Sequence, residues 1–282
     1  MRKDNSLKAN TLVVFDLDRT LLNRHSKLSQ FTLQTLRDMD AKGIHYTIAT
    51  GRSFLSAAST IADHTFKLPQ VYTNGVVTWC PRNQKFSFDN CLTLEQGLAA
   101  INEMESDAAH PFFNAIDDEG NRFIYHGDFR NPTEQQLLKT LSTTKDTKLM
   151  PIEKVHQGLR ITNISMIGPS DHVISAHNTI DTISHLIAYS GQAVERDDYR
   201  WIDIHHQEAN KGTAITRLKE QLNIETLICF GDGDNDISMF SVADECYAPE
   251  NANDENKQAA TAVIGHHDED GVAHLLRERF SL

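Results

Sequence analysis

The sequence predicts an α/β fold with a doubly wound, Rossmann-like parallel-sheet core and an inserted α+β domain. Three observations lead to this prediction. Short apolar runs alternate with segments of helical periodicity in the first third of the chain, and the same alternation returns in the last third. Between them, from about residue 81 to residue 205, paired short strands surround turn residues. We therefore expect one α/β domain that a second unit interrupts.

The first third predicts the order strand, helix, strand, helix. Gly43 directly follows the first helical segment, where a glycine commonly ends a helix. Strands that are separated by helices pair in parallel through right-handed crossovers. The predicted segments are, in order, 11–16, 28–43, 44–50 and 53–65.

The last third repeats this alternation and completes the same sheet. Its strands are expected at 226–232, 245–248 and 262–265. The intervening helices are expected at 211–222, 236–243, 254–260 and 271–280.

The middle of the chain predicts a mixed unit. Turn residues at 118–121 favour a hairpin, and a second pair of strands is expected at 192–197 and 200–205. Helical segments are expected at 94–106, 132–144 and 175–190. The domain assignment is therefore residues 1–82 with 206–282 for the core, and residues 83–205 for the inserted α+β domain.

Composition restricts the class of function. The formal charge of −12 argues against a nucleic-acid partner, because such proteins usually carry a basic face. The four cysteines form no CxxC pair, which favours a cytoplasmic protein without a disulfide framework. No apolar run approaches the roughly 18 residues that a membrane span needs, so no membrane partner is expected. An anionic small substrate would require local positive charge from a metal ion or from a few lysines and arginines.

Polar residues follow several of the predicted core strands. Ligands bind at the carboxyl ends of parallel strands, so these residues are candidates for one site. Crowded carboxylates require a cation or shared protons, and ligands that are all oxygen atoms indicate Mg²⁺. The four segments are Asp16–Thr20, Thr50–Arg52, Lys211, and "GDGDND" at 231–236.

Two residues of these segments suit phosphate binding. Lys211 supplies positive charge, and the Thr50 hydroxyl with the following backbone N–H can hydrogen-bond a phosphoryl oxygen. The segment "DGDND" is not an EF-hand loop, because Ile237 replaces the required glycine and Ala243 replaces the required glutamate.

The pair Asp16 and Asp18 has two interpretations. One aspartate could cap the following segment while the other lies in solvent. Alternatively, strand alternation places both carboxylates on one side, with Leu17 on the other. In that arrangement one carboxylate attacks phosphorus, and the other first donates a proton to the leaving oxygen and later activates water.

The segments "DLDRT", "ATGR", "NKGTAI" and "GDGDND" resemble, in this order, the four signature motifs of the haloacid dehalogenase superfamily. The chain is most similar to the Cof-like phosphatases of that superfamily. This finer resemblance is carried by "TNGV" at 73–76, "NKG" at 210–212, "NANDENKQAA" at 251–260 and "DEDGVAHLL" at 268–276. It implies a large type IIB α+β cap between Thr50 and Lys211.

The resemblance also implies a role for each residue of the predicted site. Asp16 would be the nucleophile and Asp18 the general acid and base. The Mg²⁺ ligands would be Asp16, the backbone carbonyl of Asp18, and Asp232, with Asp236 supporting the metal site from its edge. The phosphate would be held by Leu17 N–H, Thr50, Gly51, Lys211 and Asn235.

Two positions depart from the family pattern, since Arg19 and Glu250 stand where the family usually has glycine. Arg19 is interpreted either as a cation that attracts anionic substrate or as a solvated side chain, and the second interpretation is favoured. Arg52 is interpreted either as a substrate contact or as an ion-pair partner. The doublet of His266 and His267 is expected at the surface.

Together these patterns predict a Mg²⁺-dependent phosphatase that hydrolyses small phosphorylated metabolites through an aspartyl-phosphate. Two alternatives are a phosphosugar mutase and a non-catalytic protein that binds phosphorylated metabolites. The cap would select the substrate, and Asn114, Asp117 and Arg160 are candidates for that selection.

Overall fold

The structure, a computed structural model, describes residues 10–104, 108–117, 121–143, 147–156, 158–193 and 196–282. The strands in these ranges are β1 (Thr11–Phe15), β2 (His45–Ile48), β3 (Gln70–Tyr72), β4 (Val77–Cys80), β5 (Lys85–Phe88), β6 (Phe112–Ile116), β7 (Arg122–His126), β8 (Thr147–Pro151), β9 (Arg160–Pro169), β10 (Leu186–Gln192), β11 (Tyr199–His206), β12 (Thr226–Phe230), β13 (Glu245–Pro249) and β14 (Ala262–Ile264). The helices are α1 (Gln30–Ala41), α2 (Phe54–Ala58), α3 (Leu94–Met104), α4 (Pro132–Ser142), α5 (Ser170–Ile180), α6 (Lys211–Gln221), α7 (Ile237–Phe240), α8 (Asp254–Ala259) and α9 (Gly271–Phe280).

The chain divides into two compact units. The first comprises Met1–Asp89 and Asn210–Leu282, and the second comprises Asn90–Ala209. The first break lies after residue 89 rather than 82, because β5 pairs with β4, which pairs with β3 of the first unit.

The first unit contains a five-stranded parallel sheet in the order β14-β13-β12-β1-β2. All five residues of β1 are buried, as expected for a central strand that is covered on both faces. Leu12 and Val14 pack in one apolar cluster with Ile215 of α6 and Met239 of α7. The predicted doubly wound α/β core is confirmed.

Local sequence sets the limits of the helices around this sheet. The Ser29 side chain accepts a hydrogen bond from Thr32 N at the start of α1. Gly43, with φ of +68°, follows the end of α1 as predicted. Helix α2 is shorter than the predicted segment 53–65, because the hydroxyls of Ser59 and Thr60 bond to carbonyls of the preceding turn.

The second unit is built on a six-stranded sheet in the order β10-β11-β9-β6-β7-β8. All neighbours pair antiparallel except β7 and β8, which are parallel. Phe113 packs in a cluster with residues of α3 and α5, whereas the adjacent Phe112 packs with Leu138 of α4. Because side chains of a strand alternate, α4 lies on the face opposite to α3 and α5.

Two predictions for the second unit were wrong in detail. The expected helix at 175–190 ends at Ile180, and its second half is strand β10. The strand expected at 192–197 therefore lies earlier in the chain. Leu186 and Ala188 are both in the core and are two residues apart, as expected for a strand. The same apolar run also fits a helical period, and a helix was therefore predicted. The predicted hairpin connection at 118–120 lies outside the described residues, although its flanking strands β6 and β7 pair antiparallel.

The prediction that both His266 and His267 lie at the surface was wrong for His267, which is 9% exposed and bonds to Leu22 O through its ring.

No helix in the described ranges is both long enough and apolar enough to cross a membrane.

Candidate active site

The polar residues predicted to form a site lie at one edge of the parallel sheet. Asp16 follows β1, and its backbone N–H donates to Phe230 O at the end of β12. The Ala49 N–H donates to Phe15 O, so Thr50 lies beside Asp16 where the strands end. This is the edge at which parallel α/β sheets bind ligands.

Lys211 connects two of the aspartates. The Asn210 side chain accepts from Thr213 N and starts α6, which makes Lys211 the first helical residue. Lys211 Nζ lies 2.6 Å from Asp16 Oδ1 and 2.6 Å from Asp236 Oδ1. The lysine side chain is 0% exposed, so its charge is balanced almost entirely by these two carboxylates.

Asp236 shapes the loop that follows β12. Its Oδ2 accepts hydrogen bonds from the backbone N–H groups of Asp232 and Gly233, at 2.8 Å and 3.0 Å. Since Oδ1 binds Lys211, both oxygens of this buried carboxylate already have partners. Asp236 therefore positions Asp232 and Lys211.

The electrostatic environment disfavours the ionised form of the clustered aspartates. Burial raises the pKa of Asp16, as do the nearby aspartates, while Lys211 opposes the rise. Burial and Asp236 raise the pKa of Asp232 to about 7. Burial also opposes the charge of Lys211, but the Asp16 and Asp236 carboxylates hold its pKa above the usual value. The cluster thus carries more negative charge than its own cations compensate.

Arg19 contacts this cluster instead of extending freely into solvent. Although 64% of its side chain is exposed, its Nε lies 3.4 Å from Asp232 Oδ2. Its guanidinium also donates to Asn251 O at 2.8 Å. The favoured interpretation of Arg19 as a merely solvated residue was therefore wrong. Its φ of +56° is left-handed, a conformation that favours glycine and accounts for the glycine usual at this position.

Asp18 is held by an arginine and not by the lysine. Arg52 Nε and Nη2 donate to Asp18 Oδ2 and Oδ1 at 2.6 Å and 2.5 Å. This bidentate bond raises the pKa of Arg52. Of the two interpretations of Arg52, the structure therefore has the ion pair.

Asp16 and Asp18 do not lie on a strand, so the prediction from strand alternation was wrong. Strand β1 ends at Phe15, so Asp16 and Asp18 lie beyond it. Asp16 is buried, whereas the Asp18 side chain is 47% exposed. Leu17 between them has its side chain fully buried.

A second group of predicted residues meets around Asn74. The Asn235 amide donates to Asn74 Oδ1 at 2.9 Å, and Asn74 N donates to Thr50 O at 3.1 Å. A Cβ atom added to Gly51 would lie 3.1 Å from Asn74 Oδ1. The buried Thr50 hydroxyl accepts from Arg52 N at 3.1 Å.

Asn74 is the site residue that the sequence reasoning did not assign. It lies in "TNGV", directly after strand β3, and its φ is +50°. A strand followed by Thr-Asn-Gly is the signal that could have identified it, because asparagine and glycine tolerate a left-handed backbone.

The residues fit a magnesium ion. Carboxylate oxygens of Asp16, Asp232 and Asp236 all lie within 4.8 Å of one another. A purely oxygen donor set suits Mg²⁺, and a divalent cation would relieve the repulsion that raises the pKa values of Asp16 and Asp232. The Asp18 carboxylate is not part of this cluster.

Comparison with known proteins identifies the class as a hydrolase. The family model described as haloacid dehalogenase-like hydrolase matches residues 13–276, and the chain belongs to this family. The predicted superfamily is thereby confirmed.

Similar curated proteins are named phosphatases. The 5-amino-6-(5-phospho-D-ribitylamino)uracil phosphatase YwtE of Bacillus subtilis is 27% identical, over 95% of this chain and 98% of the relative. The phosphatase YitU of the same organism, named for the same substrate, is 25% identical over 96% of this chain and 98% of the relative. The prediction that this protein is a phosphatase is confirmed.

Solved structures share the fold over nearly the whole chain. A haloacid dehalogenase-like hydrolase from B. subtilis superposes with a TM-score of 0.74 at 21% identity, covering 94% of this chain and 98% of its own. A subclass IIB sugar phosphatase superposes with a TM-score of 0.72 at 20% identity, covering 96% and 99%.

Proposed function

We propose that the protein hydrolyses small phosphorylated metabolites through an aspartyl-phosphate formed on Asp16, in a Mg²⁺-dependent reaction. The observation that carries this proposal is the contact of Lys211 with Asp16 at the edge of the sheet. The buried lysine fixes the position of the Asp16 carboxylate and favours its ionised form, which is the form that acts as a nucleophile.

In the first step, an oxygen of Asp16 forms a bond to phosphorus while the bond from phosphorus to the leaving oxygen breaks. Lys211 bonds to Asp16 Oδ1, and among the described residues no hydrogen bond to Asp16 Oδ2 is present. Oδ2 is therefore the oxygen that we expect to attack. Lys211 also supplies positive charge for the phosphoryl oxygens as negative charge develops on them.

Asp18 handles protons in this proposal. It donates a proton to the leaving oxygen, and afterwards it accepts a proton from the water that attacks the aspartyl-phosphate. Arg52 bonds both oxygens of Asp18, so the acid step requires that the guanidinium release at least one of them. We assign Arg52 as a positioning residue that aims Asp18.

We expect donors from three segments at the edge of the sheet to hold the phosphoryl group. Thr50 contributes its hydroxyl, Gly51 and Leu17 contribute backbone N–H groups, and Asn235 contributes its amide. Because Asn74 Oδ1 accepts from Asn235, Asn74 fixes which way that amide points.

Magnesium would be held by Asp16, Asp232 and the backbone carbonyl of Asp18, with Asp236 at the edge of the site. When bound, the ion supplies positive charge that neutralises the phosphoryl oxygens.

The names of the relatives and the contacts in the second unit support a proposal for the substrate class. Relatives are named for a phosphorylated ribitylamino-uracil, and a structural neighbour is named a sugar phosphatase, so we propose a sugar phosphate or a related polyol phosphate. In the second unit, Asn114 Nδ2 donates to Ser165 Oγ at 2.9 Å, and Ser165 bonds to Asp203. Such a network suits hydroxyl groups.

Asp117 and Arg160 are the other two residues predicted to select the substrate, and the support for each is different. Asp117 accepts from Asn121 N and Nδ2, each at 2.8 Å, so both of its oxygens already have a partner in the chain. Arg160 begins β9 and stays a candidate. We also propose a cytoplasmic location, which the cysteine pattern favours.

The test is hydrolysis of an aryl phosphate and of a panel of sugar and polyol phosphates. We expect phosphate release with Mg²⁺, and loss of release with EDTA or with Asp16→Asn. Activity that survives either change would refute the mechanism. Isomerised hexose phosphate in place of free phosphate would indicate the mutase, and binding of panel members without turnover would indicate the non-catalytic protein.

A further inference from the structure

One face of the six-stranded sheet in the second unit carries a group of polar side chains. Asn163 and Ser165 of β9 are two residues apart, so they lie on the same face. Asn114 of β6 pairs with Asn163, and Asp203 of β11 pairs with Ser165, which places all four on this face. It is the face that α4 packs against at Phe112, opposite to α3 and α5.

The hydrogen bonds of this group are directed toward Asp203. The Asn163 amide donates to Ser165 Oγ at 2.9 Å and to Asp203 Oδ1 at 3.2 Å, which uses both of its N–H bonds. The Ser165 hydroxyl donates to Asp203 Oδ1 as well, and it accepts from Asn114 Nδ2 at 2.9 Å. Two donors therefore fix the position of one oxygen of Asp203.

The second oxygen of Asp203 is available to a ligand. Among the residues that the structure describes, none donates a hydrogen bond to Asp203 Oδ2, and no lysine or arginine forms an ion pair with this carboxylate. His205 follows on the same face of β11, but it is 1% exposed, and burial lowers the pKa of its ring, so the ring is neutral at neutral pH. The Asp203 side chain is itself partly exposed. Its negative charge is therefore accessible and lacks a cationic partner in the described part of the chain.

Two aromatic residues lie beside this carboxylate. Tyr189 of β10 is the cross-strand partner of Asp203, and Trp201 precedes Asp203 by two residues on the same face. A Cβ atom on Gly191 would lie 2.7 Å from Trp201 Cζ2, so the indole lies over the backbone of β10. Trp201 is nevertheless 38% exposed. The faces of such rings attract cations.

We propose that Asp203 selects substrates whose leaving group carries a protonated amine, as in phosphorylated amino sugars. This inference rests on the proposed function, in which residues of the second unit select the substrate. An ammonium group donates hydrogen bonds to Asp203 Oδ2 and also balances its charge, whereas a hydroxyl group only donates. Trp201 and Tyr189 attract the same cation through their ring faces.

The experiment compares substrates of the full chain, with Mg²⁺ at neutral pH, that differ in a single group. The two pairs are glucosamine 6-phosphate with glucose 6-phosphate, and glucosamine 1-phosphate with glucose 1-phosphate. We expect kcat/KM to be higher for the amine by about tenfold or more in at least one pair, because hydrogen bonds to charged groups are the stronger ones. The ratio within a pair does not depend on the fraction of active enzyme.

Asp203→Asn is the key variant. It keeps an oxygen that accepts from Asn163 and Ser165, and it places an N–H group where Oδ2 was. We expect the ratio within the pair to fall to about one, mainly through a higher KM for the amine. Asp198→Asn is the matched control, because it removes a carboxylate of the same unit that already pairs with Arg196 at 2.5 Å. The control should keep the native ratio.

Hydrolysis of an aryl phosphate by the native protein separates the two levels of the proposal. Its absence would refute the proposed function, and the selection by Asp203 with it. Aryl phosphate hydrolysis combined with equal kcat/KM for amine and hydroxyl in both pairs would overturn the selection alone. A native ratio that persists in Asp203→Asn, or that is lost equally in Asp198→Asn, would overturn it as well.

Discussion

Replacing Lys211 with methionine tests how the acidic cluster is held together. Methionine has a similar length and no charge, so Lys211→Met removes the ammonium group and leaves most of the volume filled. Lys211 Nζ lies 2.6 Å from an oxygen of Asp16 and 2.6 Å from an oxygen of Asp236. Both carboxylates would lose their nearest cation while staying buried.

The magnitude follows from this geometry. Removing one partner of a buried ion pair typically costs about 3–5 kcal/mol, because the remaining charge stays in a poorly solvated place. The cluster can reduce this cost by taking up protons, since burial already raises the pKa of Asp16. We therefore expect a loss of about 3–5 kcal/mol in unfolding free energy at about pH 8, and a smaller loss at about pH 5.

Urea denaturation of the metal-free protein at both pH values measures the effect. Lys219→Met is a matched control on the same helix, since Lys219 Nζ lies 3.0 Å from Asp244 Oδ2 at the surface. The control should lose less than about 1 kcal/mol at either pH. A loss for Lys211→Met as small as that of the control, or one that does not depend on pH, would refute the electrostatic account.

Three other predictions address the loops and the metal. Arg19→Ala should be less stable than Arg19→Gly by about 1 kcal/mol in urea denaturation, because both lose the side-chain contacts but only glycine relieves the φ of +56°. Gly212→Ala should lose about 1–3 kcal/mol or more in unfolding free energy, because a Cβ atom on Gly212 would lie 2.1 Å from Ser238 O. Gly43→Ala should lose about 1 kcal/mol, because a Cβ atom there meets nothing within 4 Å and only the left-handed backbone is strained. Equal losses for the two variants would contradict this. The pKa of Asp232 is raised from 3.8 to about 7, so between these pH values the folded protein binds more protons than the unfolded chain. In EDTA, the thermal midpoint of unfolding should therefore fall as pH rises from about 4 to about 7. Added Mg²⁺ should reverse that fall, and a midpoint that rises over this range in EDTA would contradict it.

The sequence predicted the core fold and the meeting of the site residues at one sheet edge for a physical reason. Parallel strands bring their carboxyl ends to the same side, so residues far apart in the chain, such as Asp16 and Lys211, can be grouped without coordinates. The spacing of polar residues after apolar runs was sufficient for this. The helix limit at Gly43 was likewise predictable, because glycine adopts the left-handed conformation found there.

Side-chain partners could not be predicted in the same way. The pairing of Asp18 with Arg52 depends on where β1 ends. Strand alternation was assumed to continue through Asp18, but β1 ends at Phe15. The contact of Arg19 with Asp232 depends on the left-handed turn at Arg19, which a pattern of residue types does not encode. The amide pair of Asn74 and Asn235 joins two loops that are distant in sequence.

The period of short apolar segments also limited the prediction in the second unit. The run that forms β10 follows α5 after a few residues, and its apolar residues satisfy a helical period nearly as well as a strand period. Pairing with β11 decides for the strand, and such pairing is not visible in a single segment.

The central claim is that Asp16 becomes phosphorylated during turnover. The most direct measurement is to quench the enzyme with acid during turnover of an aryl phosphate, to reduce it with borohydride, and to map its peptides by mass spectrometry. Borohydride converts an aspartyl-phosphate to homoserine, so we expect homoserine at position 16 only when substrate and Mg²⁺ were both present. Homoserine at another position, or phosphate release at full rate with unmodified Asp16 at every time of quenching, would contradict the account.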